Sequence, residues 1–407
     1  MKYDLVFEGG GAKGMVFVGA MGEFEGRGHT YERLLGTSAG AITAALLAAG
    51  YTTDEMLAAL SEQESGKPVF AGFMGAPVAF SEPEIEGSAT RALLRNIDVP
   101  GLPSFVEDGI DDAIARALLK TSRYLHFFSF IERGGWFSAH KFLEWMTRKL
   151  DEGTFQGQPR GFSGMTLSEF HAATDRDLSL VASDTTGGRM LVLNHKTAPA
   201  LPLVWAVRMS MSIPMVWPEV IWQAEWGTYL GRELNDHKVV DGGLLSNFPI
   251  ELFVSSDPFI TSMMGEKTES DPLGLLIDES QPVEGAPAPP AEAQAGLDLG
   301  QLQIVQRIGR LVNTLTGAHD KMVMEALSEN VVRLPANGYG TTEFDMSEAR
   351  REALVAAGKR AMSTFLNRRA IIESMQEHTP PGLESGPRPT VSVSEHADRI
   401  AKRILGW

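Results

Sequence analysis

The 407-residue sequence contains no cysteine, which excludes disulfides, a thiol nucleophile and thiolate metal sites. No apolar run approaches the ~20 residues of a membrane-spanning helix, and Met1 to Phe7 lack the apolar segment of a signal peptide. Positive charge is scarce, because 36 Lys and Arg residues face 52 Asp and Glu residues. The formal charge of −16 disfavours nucleic acid and electrostatic docking on anionic lipid. We expect a soluble, cytoplasmic protein whose membrane contact, if it makes one, is peripheral and hydrophobic.

The stretch from Arg33 to Leu47 has the order of a short apolar strand, a Gly-x-Ser-x-Gly turn and an Ala/Leu-rich helix. Such an elbow holds Ser38 in a strained conformation with its hydroxyl exposed, and a Cβ at Gly36 or Gly40 would collide with the neighbouring strand and helix. The helix N-terminus also favours a developing oxyanion. The motif predicts that Ser38 is a nucleophile. Taken alone it is equally compatible with a turn and a helix-capping serine.

A second glycine-rich turn follows the apolar strand predicted at Tyr3 to Phe7 and precedes a helical pattern from Met15. Its glycines let bare backbone N–H groups approach an anion closely. One interpretation is an oxyanion hole formed by the N–H groups of Gly10 and Gly11 together with that of Ala39.

The same turn has the spacing of a dinucleotide fingerprint, with glycine at positions Gly9, Gly11 and Gly14. That interpretation requires an acidic residue after the second strand, whereas Glu32 precedes the second apolar run. A Walker loop is excluded because Gly14 follows Lys13 where Ser or Thr is required. We therefore expect no nucleotide cofactor, and the oxyanion interpretation explains both glycine clusters.

A third candidate is Asp241, which ends the apolar run Val239-Val240 and precedes Gly242 and Gly243. A carboxylate at this place would lie at the edge of a sheet where sites form in open α/β folds. The alternative is an ordinary Asp-Gly turn. Because an aspartate with a pKa near about 3.9 is a poor base at neutral pH, Asp241 needs an apolar setting to act as one.

The composition, 43% hydrophobic and 22% charged, is that of a globular chain with a substantial core. We expect a catalytic domain over residues 1–255, with a helical, aromatic-rich insertion at about 70–150. We expect the aromatic residues there to fill a core, to line an acyl-chain channel or to form a membrane-facing cap. Residues 266–296, rich in Pro, Ala and Glu, are predicted to be a flexible linker or surface loop, and residues 297–407 a helical extension packed on the same domain.

Three stretches in chain order resemble the patatin-like phospholipases: Gly9 to Gly14, Gly36 to Gly40, and Asp241-Gly242-Gly243 followed by Asn247 and Pro249. The stretches 181–187 and 210–214 are also similar to that family, so the resemblance covers about residues 3–255. It implies an α/β, three-layer fold in which a central, mostly parallel sheet lies between helices. It further implies a Ser38–Asp241 dyad in place of a triad, and a helix, not a strand, ending at Pro214. Lys13 stands where the family commonly has Arg.

The predicted reaction is hydrolysis of fatty-acyl esters of phospholipids or lysophospholipids through an acyl-enzyme on Ser38, with Asp241 as base. It requires no metal and no cofactor. One alternative is a Ser-His-Asp carboxylesterase, whose histidine would have to be His319, His378 or His396 if it follows the acid. Another is a ligand-gated or catalytically silent effector on the same scaffold.

Overall fold

The computed structural model describes residues 1–89, 122–288, 327–377 and 397–398. Its strands, in chain order, are β1 (Lys2–Phe7), β2 (Thr30–Thr37), β3 (Gln63–Glu64), β4 (Lys67–Pro68), β5 (Thr154–Phe155), β6 (Gln158–Pro159), β7 (Asp177–Asp184), β8 (Arg189–Leu193), β9 (Val220–Ile221), β10 (Lys238–Asp241), β11 (Asp271–Pro282) and β12 (Val331–Asn337).

The α-helices are α1 (Val16–Gly26), α2 (Ala39–Ala48), α3 (Thr53–Leu60), α4 (Glu82–Glu86), α5 (Ser122–Arg133), α6 (His140–Asp151), α7 (Leu167–Thr174), α8 (Leu203–Ser210), α9 (Glu251–Val254), α10 (Pro258–Met264) and α11 (Glu348–Glu377). Short 3₁₀ turns occupy Gly11–Met15, Val69–Met74, Ala224–Trp226, Gly242–Leu244 and Ser328–Asn330. The helix ending before Pro214 is thereby confirmed as α8.

One large sheet organises the chain, with strand order β12-β11-β1-β2-β7-β10-β9 and with β8 paired to β7. The pairs from β12 to β7 along this order are all parallel. Strands β8 and β10 run antiparallel to β7, and β9 runs antiparallel to β10. The predicted α/β fold with a central, mostly parallel sheet is confirmed.

Each face of this sheet carries its own core, because successive side chains of a strand point to opposite faces. On β1, Leu5 and Phe7 belong to the larger core, and Val6 between them belongs to the smaller one. Residues of α1, α2 and α11 join the larger core, and residues of α9 and α10 join the smaller one. Helices therefore cover both faces of the sheet, as a three-layer fold requires.

The predicted linker at residues 266–296 is wrong where the structure describes it, because Asp271–Pro282 form β11, between β1 and β12 in the sheet. Its apolar core, Leu273 to Ile277, is buried, and Gly274 leaves room for the Phe248 ring, which would lie 2.2 Å from a Cβ there. Because a strand buried on both faces shows no alternation of apolar and polar residues, the Pro-, Ala- and Glu-rich composition of the region led to the prediction of a linker.

The prediction of a helical extension at residues 297–407 is wrong in part, since Val331–Asn337 form the parallel edge strand β12. The long helix α11 does pack on the catalytic domain, against α1. The sheet thus takes two strands from beyond residue 255, and the expected boundary there does not separate two structural units. Residues 297–326 lie outside the described residues.

The described part of the insertion at about 70–150 contains the helices α4, α5 and α6, joined by irregular segments, while residues 90–121 lie outside the described part. Its aromatic side chains divide between two environments. Phe73 and Phe142 are fully buried in the larger core, whereas Phe127 on α5 is half exposed. Within the described ranges, no helix is both long enough and apolar enough to span a membrane.

Candidate active site

Ser38 lies at the junction of β2 and α2 with φ 54° and ψ −118°, a backbone conformation that residues other than glycine rarely adopt. The flanking glycines are sterically required. A Cβ on Gly36 would lie 2.3 Å from the Gly40 carbonyl oxygen, and a Cβ on Gly40 would lie 2.2 Å from that of Phe7 in β1. The elbow predicted from the sequence is therefore present, and the packing of β1 against α2 enforces it.

Strand β7 brings Asp241 to the serine. Thr37 at the end of β2 pairs with Val181, and Asp241 at the end of β10 pairs with Ala182, the next residue of β7. Because β10 runs antiparallel to β7, Asp241 reaches this level of the sheet from the direction opposite to Ser38. The structure thus places the two residues side by side, as a dyad requires.

The Asp241 carboxyl is almost completely buried, and its Oδ1 accepts the Gly243 N–H at 2.8 Å. Burial raises the pKa of Asp241 to about 7, although the hydroxyl of Ser38 and the N–H of Gly243 favour the charged form as hydrogen-bond donors. The other oxygen, Oδ2, is buried without a hydrogen-bond partner of ordinary geometry among the described residues.

The glycine turn lies directly beside the elbow, since a Cβ on Gly14 would approach that of Ala39 to 2.6 Å. Gly11 has φ +55°, which favours glycine. Across the described part of the chain, no acceptor takes the N–H of Gly10, Gly11 or Ala39. The structure therefore leaves the three predicted oxyanion donors available to a ligand.

Ser210, at the C-terminal end of α8, connects the elbow to β7. Its hydroxyl accepts the Ser38 N–H at 3.0 Å and donates to the Val181 carbonyl oxygen at 2.6 Å. The sequence placed Ser210 in a family-like stretch but gave no indication of this bridge, because the hydrogen bond to Ser38 spans 172 residues of chain.

Asn247 connects the glycine turn to the turn after Asp241. Its side-chain N–H donates to the Gly9 carbonyl oxygen at 2.9 Å and to Glu8 Oε1 at 3.1 Å. The backbone carbonyl oxygen of Asn247 accepts the Gly9 N–H at 3.1 Å. A Cβ on Gly9 would lie 2.1 Å from the Asn247 amide oxygen, and one on Gly243 would lie 2.8 Å from it. Similarly, Gly242 packs on the Val181 backbone. These glycines are required for packing around the site.

Two spaces of different character meet at Ser38. One is an apolar cavity whose walls include Met56, Leu60, Phe73, Trp145 and Trp217. The other is a more polar pocket lined by Glu8, Lys13, Asp241, Asn247 and Glu279, in which Lys13 and Glu279 form an ion pair. Ser38, Gly11 and Ile213 line both. A ligand at Ser38 could therefore place an apolar chain in the cavity and a polar group in the pocket.

No histidine of the described ranges lines either space. His237, four residues before Asp241, instead directs Nδ1 to Asp184 Oδ2 at 2.9 Å, beside the turn of the β7–β8 hairpin. His319, His378 and His396 lie outside the described residues.

The side chains of His171, Asp177 and His195 form a group that could hold a metal ion. The two imidazole rings, however, are stacked in parallel with centroids 3.7 Å apart. Because imidazole lone pairs lie in the ring plane, parallel stacked rings do not direct them at one ion. Neither histidine lines the spaces beside Ser38.

Comparison with known proteins agrees with this geometry. A family model described as patatin-like phospholipase matches residues 5–254. The chain is 26% identical over 373 residues to the uncharacterized protein YqhO of Bacillus subtilis (strain 168), with 90% of this chain and 98% of that protein covered.

Among solved structures, VipD from Legionella pneumophila is similar with a TM-score of 0.43 and 15% identity, over 90% of this chain and 67% of VipD. The type III effector ExoU of Pseudomonas aeruginosa is similar with a TM-score of 0.38 and 16% identity, over 90% of this chain. This chain spans only about half of ExoU, 53% of its length.

The matched residues 5–254 make up more than half of the chain. They include the glycine turn, the Ser38 elbow and Asp241, which are the three stretches that meet in the structure. The chain belongs to the patatin-like phospholipase family.

Proposed function

We propose that this protein is a lipid acyl hydrolase that cleaves fatty-acyl esters of phospholipids or lysophospholipids through an acyl-enzyme on Ser38. Family membership supports a lipid hydrolase in general. The observation that carries the finer proposal is the position of Ser38 at the junction of an apolar cavity and a polar pocket, beside a buried carboxyl. The acyl chain occupies the apolar cavity, and the alcohol part of the ester occupies the polar pocket.

In the acylation step, Ser38 Oγ attacks the ester carbonyl and Asp241 takes the hydroxyl proton. The negative charge that develops on the carbonyl oxygen is bound by the N–H groups of Gly10, Gly11 and Ala39, which have no other acceptor among the described residues. The positive end of the α2 dipole adds to this stabilisation. The C–O bond then breaks, Asp241 returns its proton to the departing alkoxide, and the alcohol leaves.

Asp241 suits this role because burial raises its pKa to about 7. At neutral pH the carboxylate is then present in a substantial fraction, and it is a stronger base than an aspartate in water. In the second half of the cycle a water molecule takes the place of the alcohol. The water oxygen attacks the acyl carbonyl while Asp241 accepts the water proton, and the same N–H groups bind the oxyanion. The bond to Ser38 Oγ then breaks, Asp241 returns the proton to Ser38 Oγ, and the fatty acid is released.

The experiment that tests this function incubates the protein with mixed zwitterionic and neutral lipid vesicles and identifies the products by mass spectrometry. We expect free fatty acids and lysolipids from the wild type, and a loss of several orders of magnitude in Ser38→Ala, which removes the nucleophile and leaves the elbow. A fluorophosphonate is expected to label the wild type and not the variant. Retained hydrolysis in Ser38→Ala, or labelling at another serine, would contradict the assignment.

A further inference from the structure

The turn that joins β12 to α11, residues 339–346, lies against the active site although it falls outside the residues that the family model matches. Thr341 lines the polar pocket and Phe344 lines the apolar cavity. This segment therefore contributes a wall to both spaces that meet at Ser38, and the family resemblance assigns it no role.

Thr341 fixes the segment to the glycine turn. Its carbonyl oxygen accepts the Ala12 N–H at 2.8 Å. A Cβ added to Gly11 would lie 2.1 Å from the same oxygen, so the two backbones are in close contact. The position of the 339–346 segment is thus coupled to the turn that supplies the predicted oxyanion donors.

Phe344 closes the apolar cavity next to two other aromatic walls. Its ring centroid lies 6.2 Å from that of Phe73 and 5.8 Å from that of Trp217, and the side chain is buried. Trp217 is itself held by a hydrogen bond from Nε1 to the Phe73 carbonyl oxygen at 2.8 Å. The three rings form a rigid boundary, because each is fixed by close packing.

Arg350 on α11 holds the segment in place from behind. Its guanidinium donates to Glu343 Oε1 at 2.6 Å and to the Gly338 carbonyl oxygen at 2.7 Å, and it lies over the Tyr339 ring at 4.1 Å. The Tyr339 hydroxyl donates to the Arg350 carbonyl oxygen at 2.8 Å. Since Arg350 is almost fully buried, these contacts define one position for the segment and hence for Phe344.

We propose that Phe344 is a specificity-determining residue whose ring limits the length and bulk of the acyl chain accepted beside Ser38. This inference rests on the proposed function, because it assumes that the apolar cavity receives the acyl group of the ester. The ring touches the acyl chain and none of the reacting atoms. Changes at position 344 therefore alter which chain is preferred and leave the chemistry on a short ester in place.

The test compares kcat/KM for p-nitrophenyl laurate and p-nitrophenyl butyrate in the wild type, Phe344→Leu and Phe344→Trp. We expect the laurate-to-butyrate ratio to rise by roughly three- to tenfold in Phe344→Leu and to fall by a similar factor in Phe344→Trp, as is typical of a wall that discriminates by a few methylenes. The matched control is Phe253→Leu, a buried phenylalanine of the smaller core that lines neither space. Its ratio is expected to equal that of the wild type.

A ratio that stays within about twofold in both folded Phe344 variants, or that shifts equally in Phe253→Leu, would overturn the inference and leave the proposed function intact. A different result would contradict the proposed function itself: the wild type would hydrolyse no ester, or Ser38→Ala would hydrolyse esters as fast as the wild type. Laurate binding to Ser38→Ala, measured by calorimetry, gives a readout that does not depend on turnover. Adding Phe344→Trp to that protein is expected to weaken laurate binding about tenfold, and unchanged binding would also overturn the inference.

Discussion

The hydroxyl of Ser210 lies 3.0 Å from the backbone nitrogen of Ser38 and accepts its N–H. The strained backbone of the proposed nucleophile is therefore held by a side chain from a different element, the end of α8. Because the same hydroxyl donates to Val181 in β7, the elbow is fixed to the sheet on one side and to α8 on the other.

Ser210→Ala tests this bridge. It leaves the buried Ser38 N–H without an acceptor, which we expect to cost about 1–3 kcal/mol of stability. The elbow then holds Ser38 less firmly, and kcat is expected to fall by roughly tenfold with KM little changed. Urea unfolding and ester hydrolysis measure the two effects. Ser179→Ala removes another buried serine hydroxyl, one that accepts from Asn194, and serves as the control that loses stability without losing kcat.

Gly10 and Gly11 are expected to respond differently to alanine. A Cβ on Gly10 clashes with the flexible end of Ile277, at 2.3 Å, whereas a Cβ on Gly11 clashes with the Thr341 backbone at a position with φ +55°. Gly10→Ala should therefore remain folded and lose about 10²–10³-fold in kcat by misplacing one oxyanion donor, while Gly11→Ala also loses stability.

Circular dichroism, thermal unfolding and kcat on a soluble ester separate these outcomes. Gly164→Ala, at a glycine with no atom within 4 Å of an added Cβ, is the control and is expected to behave as the wild type. Calorimetric titration of the wild type with NAD is expected to show no saturable binding. Saturable NAD binding that Gly10→Ala abolishes would instead favour the dinucleotide interpretation of this turn.

A substitution at His237 distinguishes a Ser38–Asp241 dyad from a triad that would include this histidine. Its ring is hydrogen-bonded to Asp184 and lines neither space beside Ser38, so His237→Gln is expected to keep most of the activity. Asp241→Asn preserves shape, removes the proton acceptor and is expected to cost nearly as much as Ser38→Ala. The double variant Ser38→Ala with Asp241→Asn should lose little more than either single one. A His237, His319, His378 or His396 variant as damaging as Asp241→Asn in a folded protein would show that the base is an imidazole.

The elbow, the glycine turn and the strand ending at Asp241 could be predicted because each has a local signature: apolar runs joined by glycines whose Cβ would collide with a neighbour. Strands β11 and β12 could not, because parallel pairing joins residues far apart in the chain and a strand buried on both faces does not alternate. The contributions of Ser210 and Phe344 were missed for a related reason. Both act through contacts between distant segments, and neither has a spacing in the sequence that marks it.

The pH dependence of catalysis is expected to follow the ionisation of Asp241, the carboxyl that the sequence pattern predicts as the base. The proposed base, Asp241, accepts a proton only when it is ionised, and its pKa is about 7. We therefore expect kcat/KM for a neutral ester to rise with pH below about 7 and to level off above it. The apparent pKa should be the same for esters of different chain length, since it belongs to the free enzyme. A profile that is already flat from about pH 5 would show that Asp241 is not the group whose ionisation limits catalysis.

Stability is expected to depend on pH in the opposite direction. The pKa of Asp241 is about 7 in the folded protein and near its ordinary value of 3.8 in the unfolded chain. Below about pH 4 the carboxyl is protonated in both states, and it does not change the free energy of unfolding with pH. Between about pH 4 and 7 the unfolded chain releases this proton while the folded protein keeps it, so the wild type becomes less stable as the pH rises.

Asp241→Asn has no such proton. The unfolding free energy of Asp241→Asn should therefore increase relative to that of the wild type between about pH 4 and 7, and the difference should stay constant above about pH 7. Its full size is on the order of 4 kcal/mol for a completely buried carboxyl. Urea unfolding at about pH 4, 6 and 8 measures the difference, with the exposed Glu233→Gln as a control whose difference from the wild type stays constant. An advantage of Asp241→Asn that shrinks as the pH rises would mean that the folded protein holds Asp241 in its charged form, and that it is not poised as a base near neutral pH.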